Sequence, residues 1–306
     1  MPADPAQFQP TTSRPADFDV FWQETIAATA AVPLRLTVEP DPLHSLPDVT
    51  VSQVRFDSLG GVRVFGWLCE PKKPGRYPAG LILPGYSGAS TPQRLLSREG
   101  FVAFALSPRG QEGSRDQFNP GFPGLMLAGI GDKTAYAYRG IYMDCWRALD
   151  VLLSLPSVDP QRVAVIGSSQ GGALTVVTAA LRHEMIAAAP DVPYLCALRD
   201  VFDMTIAYPY AEVANLLAQQ PQRRDAVLQT LDYFDILNFA PAVRCPTLLS
   251  IGLQDIICPP ETGYALYRAL QCPKELAVYP QAGHEGGGAT HLERKLRWLK
   301  KIVGVA

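Results

Sequence analysis

The sequence has no cysteine pair at metal-knuckle or redox spacing. Its six cysteines (Cys69, Cys145, Cys196, Cys245, Cys258 and Cys272) are scattered over 306 residues and never form Cys-x-x-Cys. That excludes a disulfide framework and a zinc ribbon, and reduced core thiols in a cytoplasmic protein are expected. Charge of one sign is also lacking: 27 Lys and Arg face 29 Asp and Glu, for a net charge of −2. Neither nucleic acid nor an anionic membrane is therefore expected as a partner. No apolar run approaches the roughly 20 residues that a membrane helix needs. The opening stretch, "MPADPAQFQPTTSRPADFDVFW", has no basic segment followed by an apolar core, so no signal peptide is expected. There is no internal repeat and no low-complexity segment. Histidine is scarce, with four in all, which narrows the search for a catalytic base.

What is present is an alternation of apolar runs and amphipathic stretches. Hydrophobic residues make up 47% of the chain. That is enough for one large core, and residues 1–306 are read as a single α/β domain. "TVSQVRF" and "VRVFGWLCE", joined across "DSLGG", read as a hairpin. "AGLILPG" (79–85), "FVAFALSPRG" (101–110), "RVAVIG" (162–167), "MIAAAPDV" (185–192), "CPTLLSIG" (245–252) and "ELAVYP" (275–280) look like buried strands. Between them lie helical patterns, among them "TAYAYRGIYMDCWRALDVLLSLP", with Tyr138, Ile141, Tyr142, Cys145, Leu149 and Leu152 on one stripe. The spacing predicts a mostly parallel sheet with helices on both faces. Residues 16–31 read as an N-terminal helical extension with an Asp cap and Phe18, Phe21, Trp22 and Ile26 at helical spacing. Residues 111–133 form a Gly- and Pro-rich excursion, and about 195–240 a mainly helical insertion. The excursion is expected to expose Phe122, Leu125, Met126 and Leu127, an apolar patch of the kind that marks an interface.

"VIGSSQGGA" (165–173) carries the chemistry. Ser169 sits in G-x-S-x-G, between an apolar strand and an apolar helix. This is the nucleophile-elbow pattern, in which glycines flank a turn too tight for larger side chains. The turn lifts the serine hydroxyl above the sheet edge and aims the next backbone N–H, that of Gln170, at a forming oxyanion. The elbow predicts an acid and then a histidine toward the C-terminus. His284, just after the last strand, is the base. His291 opens the final helix and is expected to be a capping or surface residue, and His44 and His183 come too early. For the acid, Asp255 follows the penultimate strand and is preferred on that position. Asp191, after the strand before it, is the rival. The second oxyanion donor is expected from the loop after "AGLILPG", where Tyr86 would supply its N–H and its ring would wall the acyl pocket, with the Gln170 side chain and the "DIICPP" loop beside Asp255 narrowing it to a short slot; otherwise Tyr86 is a core aromatic. "HEGGGATH" begins like a zinc-protease helix. Its second histidine comes too late, and three glycines would break the helix, so no metal is expected.

"PGYSG", "RGQ" (109–111), "GSSQGG", "DVPYLC", "YFDILNFA", "GLQDIICPP" and "HEGGG", in this order and with "FDVFWQETIA" near the start, resemble the acetyl xylan esterase / cephalosporin C deacetylase family, carbohydrate esterase family 7. The resemblance implies an α/β-hydrolase fold. It implies a triad of Ser169, Asp255 and His284, an oxyanion hole of the Tyr86 and Gln170 amides, and no cofactor. It implies removal of acetyl groups from small acetylated sugars and from cephalosporin C, a cytoplasmic location, and a homo-oligomer, in the family often a hexamer. Pro84 stands where the family usually has His, and the excursion after "RGQ" is shorter than the family's, which leaves the oligomer's size open. Arg109 and Gln111 are expected to brace the site and not to react. The competing readings are a general short-chain carboxylesterase, a peptidase of the same fold and a non-catalytic ligand-binding protein.

Overall fold

Nine strands form one sheet in the computed structural model, which describes residues 4–121 and 124–305. They are β1 Thr37–Pro40, β2 Val49–Asp57, β3 Arg63–Pro71, β4 Tyr77–Leu83, β5 Val102–Ser107, β6 Val158–Ser168, β7 Met185–Asp191, β8 Thr247–Gly252 and β9 Lys274–Tyr279. Their order across the sheet is β1-β2-β3-β5-β4-β6-β7-β8-β9. The pairs from β1 through β3 to β5 are antiparallel. The pairs from β5 to β9 are parallel. The short edge strand β1 has no counterpart in the sequence reading, because four residues carry too little alternation to register.

The helices are α1 Phe18–Ala30, α2 Arg94–Arg98, α3 Ala137–Ser154, α4 Gln170–Leu181, α5 Val201–Met204, α6 Tyr210–Gln219, α7 Arg224–Leu231, α8 Pro260–Ala269 and α9 Gly288–Val303. They cover both faces of the sheet. Successive residues of β6 show why: Val163 and Val165 join the large core with side chains of α1, α3, α4 and α8, whereas Ala164 packs with Leu299 and Val303 of α9. The two-residue period of the strand sends neighbours to opposite faces, and an apolar run results where both faces are covered.

The N-terminal helix is held by aromatic packing. Trp22 is buried against Phe18, Phe21, Tyr142, Phe234 and Phe239, and its indole N–H donates to the Tyr233 carbonyl at 3.1 Å. The expected Asp cap is corrected: Asp17 precedes α1 but caps nothing, and its carboxylate instead accepts from Lys133 at 2.6 Å and from the Tyr233 hydroxyl. These two partners hold that carboxyl below the usual range. Asp235, fully buried between α7 and β8, accepts the backbone N–H of Ala197, Leu198 and Leu237 and the hydroxyl of Thr12. Burial pushes its carboxyl up to about 6.

The excursion also departs from expectation. Leu125, Met126 and Ile130 are buried in the large core and Leu127 packs against it, so the segment folds back on its own chain. Phe122 lies outside the described residues. Among the described residues the apolar patch expected there is not on the surface.

Truncating Trp22 to Ala should remove the anchor of α1 and cost about 3–5 kcal/mol. In a chain of this size that is a fall in Tm of roughly 6–20 °C. Thermal unfolding followed by circular dichroism checks it, and a fall of only a degree or two would show that α1 is not part of the core.

Candidate active site

The turn from β6 into α4 is shaped by three glycines. A Cβ on Gly167 would strike the Gly171 carbonyl, one on Gly171 would strike the Leu83 carbonyl, and one on Gly172 would come within 2.6 Å of the Asp191 carbonyl oxygen. Only backbone this bare lets α4 start so close to β4 and β7. Ser169 is forced to φ 59°, ψ −119°, a region that residues with a Cβ avoid. Two bonds hold it there: its N–H donates to the Asp191 carbonyl at 2.9 Å, and its carbonyl accepts from Tyr194 N–H at 3.0 Å.

Asp255 lies three residues beyond β8 and His284 five residues beyond β9. The structure brings them together, with His284 Nδ1 2.8 Å from Asp255 Oδ2. Asp255 is buried, while the His284 side chain keeps 27% of its exposure. The other carboxylate oxygen, Oδ1, accepts the N–H groups of Ile257 at 2.8 Å and Cys258 at 2.9 Å. Asp255 is thus fully engaged, and it caps its own turn, not α8, whose cap is Pro259. The Cys258 sulfur, a ring nitrogen of His284 and a carboxylate oxygen of Asp255 all lie within 4.8 Å of one another. The Ser169 hydroxyl reaches the Cys258 sulfur. Burial and the Asp255 charge nevertheless push the Cys258 thiol well above its ordinary value and keep it protonated. His284 and Asp255 are thus paired, Cys258 lies beside them, and the Ser169 side chain borders Cys258.

Asp191, the rival acid, is committed elsewhere. Its Oδ1 is 2.8 Å from His291 Nε2, its Oδ2 accepts from Lys295, and His291 Nδ1 is 3.0 Å from the Tyr279 hydroxyl. Burial alone would raise the Asp191 carboxyl, but His291 and Lys295 outweigh it and hold it below the usual range. The surface reading of His291 is corrected: it is 2% exposed and pins α9 to β7 and β9. Its amphipathic helix disguised it, since a buried imidazole at the first turn looks like a cap in sequence.

The two amides expected to form an oxyanion hole are those of Gln170, at the first turn of α4, and Tyr86, beyond β4. Neither N–H has an acceptor among the described residues. The Gln170 side chain does not wall the acyl pocket as expected. It is fully buried, with Nε2 2.7 Å from Gln111 Oε1 and Oε1 accepting from the Tyr138 hydroxyl at 2.9 Å. Gln111 in turn donates to the carbonyls of Gly85 at 2.9 Å and Gly88 at 3.0 Å, so it braces the loop that carries Tyr86. Arg109 forms a buried two-pronged pair with Asp144. Neither Arg109 nor Gln111 is among the groups that meet at Ser169. The Tyr86 phenol donates to the buried Glu212 of α6 at 2.8 Å, and its ring packs edge-on to Tyr194 and Tyr208. Nothing in the sequence pairs Glu212 with Tyr86, since they lie 126 residues apart.

A serine in a strained turn, a histidine paired with a buried carboxylate and two backbone N–H groups without acceptors are the parts that acyl transfer uses. Comparisons with known proteins identify the family. The acetyl xylan esterase (AXE1) family model matches residues 4–302. The acetyl esterase Axe7A of Xylanibacter ruminicola is 30% identical over 98% of this chain and 70% of its own length. The solved acetyl xylan esterase of Paenibacillus sp. R4 superimposes with a TM-score of 0.92 at 34% identity, covering 99% of this chain and 100% of that one. Acetyl xylan esterase 1 of Thermoanaerobacterium sp. JW/SL YS485 does so with the same TM-score at 26% identity, covering 99% of each.

The two carboxylates should respond differently to neutralisation. Asp255→Asn should lower kcat by about 10²–10⁴, because the imidazole loses its orienting acceptor, with little change in KM. Asp191→Asn should act on stability, which the depressed carboxyl supports above the ordinary carboxylate range and loses as the pH falls through its folded-state value. Steady-state kinetics on nitrophenyl acetate beside thermal melts separates them, and a larger loss of kcat in Asp191→Asn would reverse the assignment.

Proposed function

The chain belongs to the acetyl xylan esterase family, a carboxylic ester hydrolase of α/β-hydrolase fold, and from there we propose that it removes acetyl groups from small acetylated sugars such as xylo-oligosaccharides, and from cephalosporin C. The observation that carries the reading is the 2.8 Å pair of His284 and Asp255 beside a serine held at φ 59°. In the proposed mechanism His284 takes the Ser169 proton as Oγ attacks the acetyl carbonyl. Asp255 holds the imidazole in the tautomer with its proton on Nδ1 and stabilises the charge that forms. The Tyr86 and Gln170 N–H groups receive the oxyanion. The sugar leaves as the alcohol with the proton from His284. Water then attacks the acetyl-serine by the same route in reverse and releases acetate.

A short acyl slot is supported by Tyr86, whose ring is fixed by Glu212, Tyr194 and Tyr208. One observation favours the general short-chain esterase instead: Ile206 and Ile256 are 95% and 76% exposed on joined loops beside Asp255, where apolar acyl chains or aglycones could lie. Among the described residues no helix is long and apolar enough to cross a membrane. We further propose a cytoplasmic location, supported by six cysteines that are all unpaired, and a homo-oligomer, supported by the family resemblance, since the described residues of the excursion offer no exposed patch.

Three measurements test these readings. Ser169→Ala should stay folded and lose about 10⁴–10⁶ in kcat and all labelling by a fluorophosphonate. Retained hydrolysis would remove Ser169 from the mechanism. Across acetyl, butyryl and octanoyl nitrophenyl esters, kcat/KM should fall about tenfold or more from acetyl to butyryl. Overpacking a closed slot costs about 1–3 kcal/mol, against a gain of about 0.8 kcal/mol per buried methylene. A rising series would make the protein a general carboxylesterase. Light scattering at micromolar concentration should give a multiple of the 33.3 kDa chain mass, and a mass equal to it would eliminate the oligomer.

A further inference from the structure

Cys258 has no task in the ester chemistry, yet it stands beside the His284–Asp255 pair. It is buried, and its position is not loose. Asp255 Oδ1 binds its backbone N–H while Asp255 Oδ2 holds the imidazole. One carboxylate therefore fixes both the Cys258 backbone and a histidine ring. Sulfur, ring nitrogen and carboxylate oxygen fall within 4.8 Å of one another. Tetrahedral zinc with bonds of about 2.0–2.3 Å needs its ligands roughly 3.3–3.7 Å apart, so side-chain shifts of about 1 Å would close the cluster on a metal. The Ser169 side chain borders the same sulfur. The His284 side chain is partly open to solvent, while Asp255 and Cys258 are buried. The donor set of one sulfur, one imidazole and one carboxylate selects a borderline-soft cation and disfavours magnesium or calcium.

We propose that Asp255, Cys258 and His284 form a binding site for a thiophilic divalent cation, zinc being the type, and that its occupancy inhibits the enzyme. The inhibition rests on the catalytic reading of His284 and Asp255; the binding does not. The cation replaces the proton of the Cys258 thiol, which is released to solvent as the metal–sulfur bond forms, and no group is oxidised or reduced. The imidazole lone pair and the Asp255 carboxylate complete the protein's share of the ligands. Metal and proton transfer then compete for the same ring and carboxylate. The metal is an inhibitor here, not a participant in hydrolysis.

Two readouts test this on the full-length protein. Cadmium, a spectroscopic substitute for zinc, should add a thiolate-to-metal charge-transfer band in the ultraviolet that saturates near one equivalent. The band should be absent in Cys258→Ala and in the near-isosteric Cys258→Ser. Zinc should inhibit nitrophenyl acetate hydrolysis reversibly, with activity restored by a chelator. Each variant, compared with its own zinc-free rate, should need about tenfold or more zinc for half inhibition. Unchanged zinc sensitivity in both folded variants, or a cadmium band that survives in them, would overturn the proposal. A band that depends on Cys258 with no effect on hydrolysis would uphold the site and overturn the catalytic reading of His284 instead.

Discussion

The approach of the Gly171 backbone to the carbonyl of Leu83 is the constraint on which the rest of the site depends. At that distance no side chain fits, and the bare backbone lets α4 begin almost in contact with the end of β4. The consequences follow in order. Ser169 is bent into a conformation that exposes its hydroxyl at the carboxyl edge of the sheet. Gln170 begins α4 with an N–H that has no carbonyl behind it to bind, as at any helix start. Tyr86 follows Leu83 by three residues, and its N–H too has no acceptor among the described residues. The strain at Ser169 is sustained because Asp191 and Tyr194 grip the backbone on both sides of its side chain.

That grip is reinforced from below. Asp191 gives its carbonyl to Ser169 and its carboxylate to His291 and Lys295, and His291 closes on Tyr279. Tyr279 ends β9 and His291 lies in the first turn of α9, so their contact fastens both ends of the loop that carries His284. One buried charge cluster therefore fixes the height of the serine and the base of the histidine loop together. Buried ion pairs contribute little net stability against the desolvation they cost. The return here is geometric: two catalytic elements from different parts of the chain are referred to one aspartate.

The division between what the sequence discloses and what it conceals follows range. The fold class is legible because two-sided burial turns each parallel strand into an apolar run, and the runs alternate with helical stripes. The elbow is legible because it is local, with strand, turn and helix inside nine residues. Asp255 and His284 can be named because the fold delivers them after successive strands, so strand counting stands in for distance. The Tyr86–Glu212 and Asp191–His291 contacts span more than a hundred residues each and leave no periodic trace. The Gln170 side chain was misjudged for the same reason. A glutamine beside a nucleophile looks like a pocket wall until its partners, Gln111 and Tyr138, are brought to it by other elements. The excursion was misjudged because leucine and methionine in a glycine-rich loop look exposed when the core that receives them is out of view.

These distant contacts explain what the segments outside the sheet are for. Glu212 stands on a helix of the insertion, is 6% exposed, and holds the phenol of Tyr86. The excursion reaches the same phenol, since Met126 N–H donates to the Tyr86 hydroxyl at 3.3 Å. Gln111, where the excursion begins, holds the carbonyls on either side of Tyr86 in the loop. The N-terminal helix then packs through Trp22 on Phe234 and Phe239, residues of the insertion's C-terminal end. A loop rich in glycine between β4 and α2 would otherwise be free to turn its amide away. Two segments remote in sequence, the insertion and the excursion, restrain it at its side chain and at its carbonyls, the preorganisation that the proposed oxyanion hole needs before substrate arrives.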